Sequence, residues 1–188
     1  MDDTQNNHLK AYGLAYKALM NGIVVKWLLN YRGGSFLIVQ DKQELIDFAI
    51  TRNITYDIID DNEFAKIQNI IDNENMNIVS LDVAPRIAVY APPWNAPWDD
   101  AVTLALKYAE IPYTTIWDEE VIGGILTTEN FDWLHLHHED FTGQHGKFWY
   151  GYGNESWYIE RDALFQKTAL KLGFKTIQEE KKNCCFKN

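Results

Sequence analysis

Apolar positions recur along the chain first at helical and then at strand spacing. "NHLKAYGLAYKALMNG" sets Leu9, Tyr12, Leu14, Tyr16, Leu19 and Met20 at mixed three- and four-residue steps, which predicts a helix ending at Gly22. "IVVKWLLNY" follows as a β-branched and aromatic strand, "RGGS" turns the chain, and "FLIV" gives a second short strand. "DKQELIDFAITRN" reads as a helix, with Asp41 as cap, Glu44 three residues on, and Leu45, Phe48 and Ala49 as its buried stripe. "ITYDIID" alternates Ile54, Tyr56 and Ile58 as a strand should. "DNEFAKIQNIIDNEN" returns to helical spacing through Phe64, Ile67, Ile70 and Ile71, with Asp61 and Glu63 at the end that favours acids.

The second half keeps the alternation. "RIAVYAPP" is an apolar run stopped by two prolines, the pattern of a central parallel strand covered on both faces. "WNAPWDD" is its loop, and "DDAVTLALKYAEI" is an amphipathic helix capped by Asp99 or Asp100, with Val102, Leu106 and Ala109 facing in. "PYTTIWDEEVIGG" gives a strand and a turn, "NFDWLHLHH" the next strand, and residues 156–172 a helix stopped by Gly173. Strand alternating with helix predicts an α/β fold: a layered, mostly parallel sheet with helices on both faces. Residues 1–180 read as a single α/β domain and 181–188 as a disordered tail. The chain closes in "KKNCCFKN" just after a helix and before any following strand, which predicts a domain incomplete at its C-terminus.

Composition narrows the function. The 188 residues are 46% hydrophobic and 23% charged, a globular balance. A formal charge of -10, with no basic stripe, argues against nucleic acid and against an anionic membrane surface. No run of 18 apolar residues predicts membrane insertion, and the polar start "MDDTQNNHLK" lacks the apolar core of a secretion signal. The expected location is cytoplasmic as written, or periplasmic if a signal peptide has been removed. Cys184 and Cys185 are adjacent, with neither CxxC spacing nor a nearby histidine.

Candidate chemistry concentrates in "WLHLHHEDFTGQHG", residues 133–146, which hold four of the five histidines. On a strand, Trp133, His135 and His137 share one face, and Leu134, Leu136 and His138 the other. His138, Glu139 and Asp140 then fall at the strand's carboxyl end, where open α/β sheets place ligands. An acid–base site would use His137 or His138, with Glu139 or Asp140 orienting the imidazole. A divalent metal site would draw on His135, His137 and His145, although HExxH spacing is absent. The plain alternative is a set of histidines and acids bonded to loop amides and to one another. Trp94 and Trp98 in "PPWNAPWDD", Asp118 and Glu119 in "WDEE", and Trp133 could wall the same pocket as ligand-binding residues. "YRGGS" reads either as a plain turn or as bare amides facing an anion. Neither a GxSxG elbow nor a Walker loop occurs.

"NHLKAYG", "WLLNYRGGSF", "APRIAVYAP", "PWDDAVTLALKYAEIPY", "WDEEV" and "DWLHLHHEDFTGQHGKF" together resemble a Bacteroidetes-type family that carries the name asparagine synthetase B, over about residues 7–175. The resemblance implies a flavodoxin-like, class I glutamine amidotransferase-like fold. It also implies a longer chain whose Gly-rich "MCSATD" segment places a cysteine where that fold has its nucleophile. Cys184 and Cys185 do not match that segment, so no nucleophile carries over. Asparagine synthesis itself is not expected, since Asp2 stands where those synthetases have cysteine and "RGGSF" is no SGGxDS loop. The expected function is part of an amidotransferase-like or amide hydrolase-like enzyme acting on a small polar molecule or amide, inactive alone for lack of the nucleophile segment. The alternatives are a metal-dependent hydrolase using the 135–145 cluster, and a non-catalytic ligand-binding domain with Trp94, Trp98, Trp133 and Trp149 as platforms.

Overall fold

A short turn decides the direction of the first sheet. The computed structural model describes residues 4–91, 100–136 and 151–184, with side chains through residue 180. Strand β1 (Val25–Leu29) leaves through Asn30 and returns as β2 (Ser35–Ile38), a connection that can join only antiparallel neighbours. Its geometry needs left-handed backbone at Asn30 (φ 66°) and Arg32 (φ 50°), and Gly34 (φ 108°) occupies a region closed to most side chains. The amides of Gly33 and Gly34 donate to the carbonyls of Asn30 and Tyr31 at 3.2 and 2.8 Å. "YRGGS" is therefore a turn that satisfies its own amides, not an anion cradle.

The contacts divide the chain into two compact units: Met1–Ala84 with Leu104–Pro112, and Pro85–Thr103 with Tyr113–Asn188. In the first, β3 (Asn77–Leu81) pairs antiparallel with the other edge of β1, giving the order β2-β1-β3. Residues opposite one another share a face, so Val25, Ile38 and Leu81 lie together, as do Trp27, Phe36 and Val79. Helices α1 (His8–Met20) and α2 (Gln43–Thr51) cover that face, closing a core of Leu14, Ala18, Val25, Leu45 and Phe48. Helix α3 (Asp61–Asn73) belongs to the opposite face, where the Lys26 ammonium lies 4.8 Å from the centre of the Phe64 ring. Asp41 does not cap α2; Lys42 holds that position and makes no side-chain cap bond.

The carboxylate of Glu110 gathers two cations in this unit, Lys10 at 2.7 Å and Arg52 at 2.8 Å. The hydrogen bonds from Arg52 and then Lys10 pull its pKa down to about 2 from the ordinary 4.5. A depressed carboxylate stabilises the fold above its unfolded pKa and loses that contribution as pH falls through the folded one. Wild type should therefore exceed Glu110→Gln in stability above pH 4.5, with the difference vanishing as pH drops through about 2. Because the side chain is 39% exposed, the difference should stay below about 1 kcal/mol. Urea titrations of both proteins across that range read it directly.

The second unit is built on a parallel sheet of order β5-β4-β6, from β4 (Ile87–Tyr90), β5 (Thr114–Ile116) and β6 (Trp133–Leu136). All four residues of β4 are buried, as its unbroken apolar run requires of a central strand. One face carries Ala88, Tyr90, Ile116, Leu134 and Leu136 against Trp117, Phe165 and Ile177. The latter two belong to helices α6 (Ser156–Lys171) and α7 (Ile177–Cys184). Arg86 fixes the β4–β6 register, since its Nε and Nη2 each stand 2.9 Å from the Asp132 carboxylate while its own amide donates to Asp132 at 2.8 Å. Ile87 consequently aligns with Trp133 and Val89 with His135.

The architecture is mixed α/β, with two three-stranded sheets in place of the single, mostly parallel sheet expected. Three further details depart from the sequence reading. Residues 54–60 alternate like a strand but pair with none among the described residues. "WDEEVI" opens into a short helix, α5 (Asp118–Ile122), where a turn was expected. Helix α7 runs to Cys184, into the stretch expected as a tail. No helix among the described residues is long and apolar enough to cross a membrane.

Candidate active site

Helix α4 (Ala101–Ala109) begins just after Asp100, and its first amides need acceptors. Asp100 supplies one oxygen for two of them: Oδ1 accepts from the amides of Val102 and Thr103 at 2.8 and 2.9 Å. Thr103 returns its hydroxyl to the Asp100 carbonyl at 3.0 Å. The same Oδ1 lies 3.0 Å from Nε2 of His135. Strand alternation puts His135 on the face opposite Tyr90 and Leu136, and the pairing of β4 with β6 brings it alongside Val89. A helix cap and an imidazole 35 positions apart in sequence thus share one carboxylate oxygen.

Both partners are sheltered. Asp100 is buried, and the His135 side chain is 17% exposed. Burial on its own would raise the Asp100 pKa. The Thr103 amide, the His135 hydrogen bond and charge, and the Val102 amide together outweigh it and hold the carboxyl below its usual value. An ionised Asp100 fixes the imidazole's orientation and favours the tautomer with its proton on Nε2, leaving Nδ1 as the basic nitrogen. Trp133 stands beside it, its ring centre 6.4 Å from that of His135 and its side chain partly open to solvent.

The remaining described candidates, Asp118 and Glu119, have partners of their own. Asp118 is fully enclosed and accepts the Tyr90 hydroxyl, while the Tyr90 ring stacks on Trp117 at 4.7 Å. Glu119 takes the Lys171 ammonium at 2.5 Å on the surface. The arrangement gathers Trp133 and His135 and adds Asp100, which the sequence marked only as a helix cap. Strand periodicity pointed His135 to this face, but nothing local signalled a partner so distant in the chain.

The catalytic candidates His137, His138, Glu139 and Asp140, the metal candidates His137 and His145, and Trp94, Trp98 and Trp149 lie outside the described residues. Among the described residues no three His, Cys, Asp or Glu side chains gather as a metal site requires. The likeness to the asparagine synthetase B-named proteins rests on the sequence motifs alone: no family model, curated protein or solved structure matches the chain.

Proposed function

We propose that the second unit carries the acid–base pair of an amide hydrolase-like site that uses water in place of the cysteine nucleophile of class I glutamine amidotransferase-like enzymes. The observation that carries the reading is the 3.0 Å contact between His135 and the helix-capping Asp100. The strand order supports it. Numbered within the unit, β5-β4-β6 is 2-1-3, the order with which flavodoxin-like sheets begin. In such sheets ligands bind beyond the carboxyl ends of the strands, at the switch point between the first and third strands. In this reading that point is between β4 and β6, where His135 of β6 lies alongside Val89 and meets Asp100, the cap of the helix that follows β4.

In the proposed reaction Nδ1 of His135 accepts a proton from water as the water oxygen adds to the amide carbon. The same proton then passes to the departing nitrogen as the C–N bond breaks, giving a carboxylic acid and ammonia or an amine. Asp100 keeps its proton-free form throughout and stabilises the imidazolium. Trp133 offers an apolar wall beside the ring.

Ammonia release from glutamine, asparagine and simple primary amides tests the reading. With water as the attacking group no nucleophile segment is needed, in contrast to the inactivity expected from the sequence: wild type should release ammonia, and His135→Ala should lower the rate about 10²- to 10⁴-fold, the usual worth of a positioned acid–base group. No release from any of these amides, or an equal rate in the variant, would rule out this chemistry.

A further inference from the structure

The first unit holds a cavity of about 520 Å³, within the size range of ligand sites. Its walls are residues 31–42 (Gly33 apart) on one side and 54–59 on the other, with α1 and α2 contributing Leu14 and Leu45. The first wall includes the whole of β2, whose only strand neighbour among the described residues is β1.

The register shows which backbone groups β2 turns toward its outer edge. The Val39 amide donates to the Val24 carbonyl at 3.4 Å. Bonded and non-bonded pairs alternate along an antiparallel ladder, so Leu37 and Ser35 also face β1, opposite Lys26 and Leu28. Phe36 and Ile38 therefore direct their N–H and C=O groups away from β1. Across the cavity, residues 54–59 run without strand pairing. Both banks leave large apolar side chains open: Val39 is 46% exposed, Tyr56 41% and Ile58 73%.

We infer that this cavity is a slot for an extended peptide, which adds to β2 as a fourth strand. A second strand is the ligand that presents acceptors and donors at the two-residue spacing of Phe36 and Ile38, and its alternate side chains would meet the open apolar positions. Charge narrows the class further. The lining carries Arg32 and Lys42 against Asp41 and Asp57, which cancel within a molecule of net charge -10. An uncharged segment alternating apolar and small polar residues suits a wall of that kind. Edge strands are commonly blunted by a lysine, a proline or a bulge, and "SFLI" carries neither lysine nor proline. The inference concerns the first unit and does not depend on the chemistry proposed for His135.

Amide hydrogen exchange with a capped pentapeptide alternating threonine and valine tests it. At about 1 mM peptide, exchange at Phe36 and Ile38 should slow about tenfold or more, while Ser35, Leu37 and Val39 stay unchanged. The same peptide N-methylated at alternate amides should have no effect. Ile38→Pro should abolish the response without disturbing β1, because the N–H it removes points outward; if that variant does not fold, the N-methylated peptide decides alone. No slowing at Phe36 and Ile38, or equal slowing by the N-methylated peptide, overturns the inference. Slowing that tracks protein concentration without peptide also overturns it, assigning the edge to a second copy of the chain.

Discussion

Gly13→Ala will lower the stability of the protein by about 2 kcal/mol, although alanine is the better helix former. A Cβ at position 13 of α1 would stand 1.9 Å from the carbonyl oxygen of Ala109 and 3.0 Å from its carbonyl carbon. The obstacle is backbone at the end of α4, adjoining the left-handed residue Glu110 (φ 61°), so no side-chain rotation relieves it. The gain in helix propensity from Gly to Ala is about 1 kcal/mol. Forcing a methyl group into packed backbone costs about 1–3 kcal/mol and occasionally more, and an overlap this deep belongs at or above the top of that range. The clash wins, and shifting α1 to relieve it would also disturb the Lys10–Glu110 pair. Urea unfolding of wild type and variant gives the difference, with a lower midpoint expected at an unchanged slope. Equal or greater stability in the variant would mean that α1 and the end of α4 are not in contact at Gly13.

Asp100→Asn will reduce the proposed amide hydrolysis about 10²- to 10³-fold, through loss of the charge beside His135, while leaving the fold close to its original stability. Asparagine caps helices about as well as aspartate, so the Val102 and Thr103 amides keep an acceptor. What changes is the charge beside His135. The oxygen that caps the helix is also the one His135 meets, so an asparagine that keeps the cap still accepts from Nε2 but lacks the negative charge that stabilises the imidazolium. Asp100→Ala removes cap and orienting group together and should additionally cost about 1 kcal/mol of stability. Comparing kcat and unfolding midpoints for the two variants separates the roles: activity falls in both, stability chiefly in the alanine variant.

The elements legible in the sequence were those whose signal is local. "RIAVYAPP" carried its own stop in two prolines and proved to be the buried central strand β4. The helix before Gly173 and the strand at Trp133 followed from periodicity in the same way. Strand β3 escaped because "NIVSL" is short and mostly exposed, and becomes a strand by pairing with β1, about fifty positions earlier. Residues 54–60 misled for the converse reason: Ile54, Tyr56 and Ile58 alternate, yet only Ile54 of the three is buried. Helix α5, five residues long, is shorter than any pattern that periodicity can register. The candidate site divides along the same line. The facing of His135 could be read from strand alternation and the capping role of Asp100 from its place before an amphipathic helix. Their meeting depends on β6 lying beside β4, which is a property of topology.

The central claim, that Asp100 holds His135 with its proton on Nε2 and its base at Nδ1, can be measured without a substrate. Nitrogen-15 NMR of the histidine side chains at neutral pH distinguishes the protonated from the bare ring nitrogen. Expected in wild type is a protonated Nε2 and a bare Nδ1 for His135; in Asp100→Ala, which offers no acceptor there, the two nitrogens should average. A wild-type His135 with the proton on Nδ1, or one whose two nitrogens average as in an unrestrained imidazole, would contradict the claim.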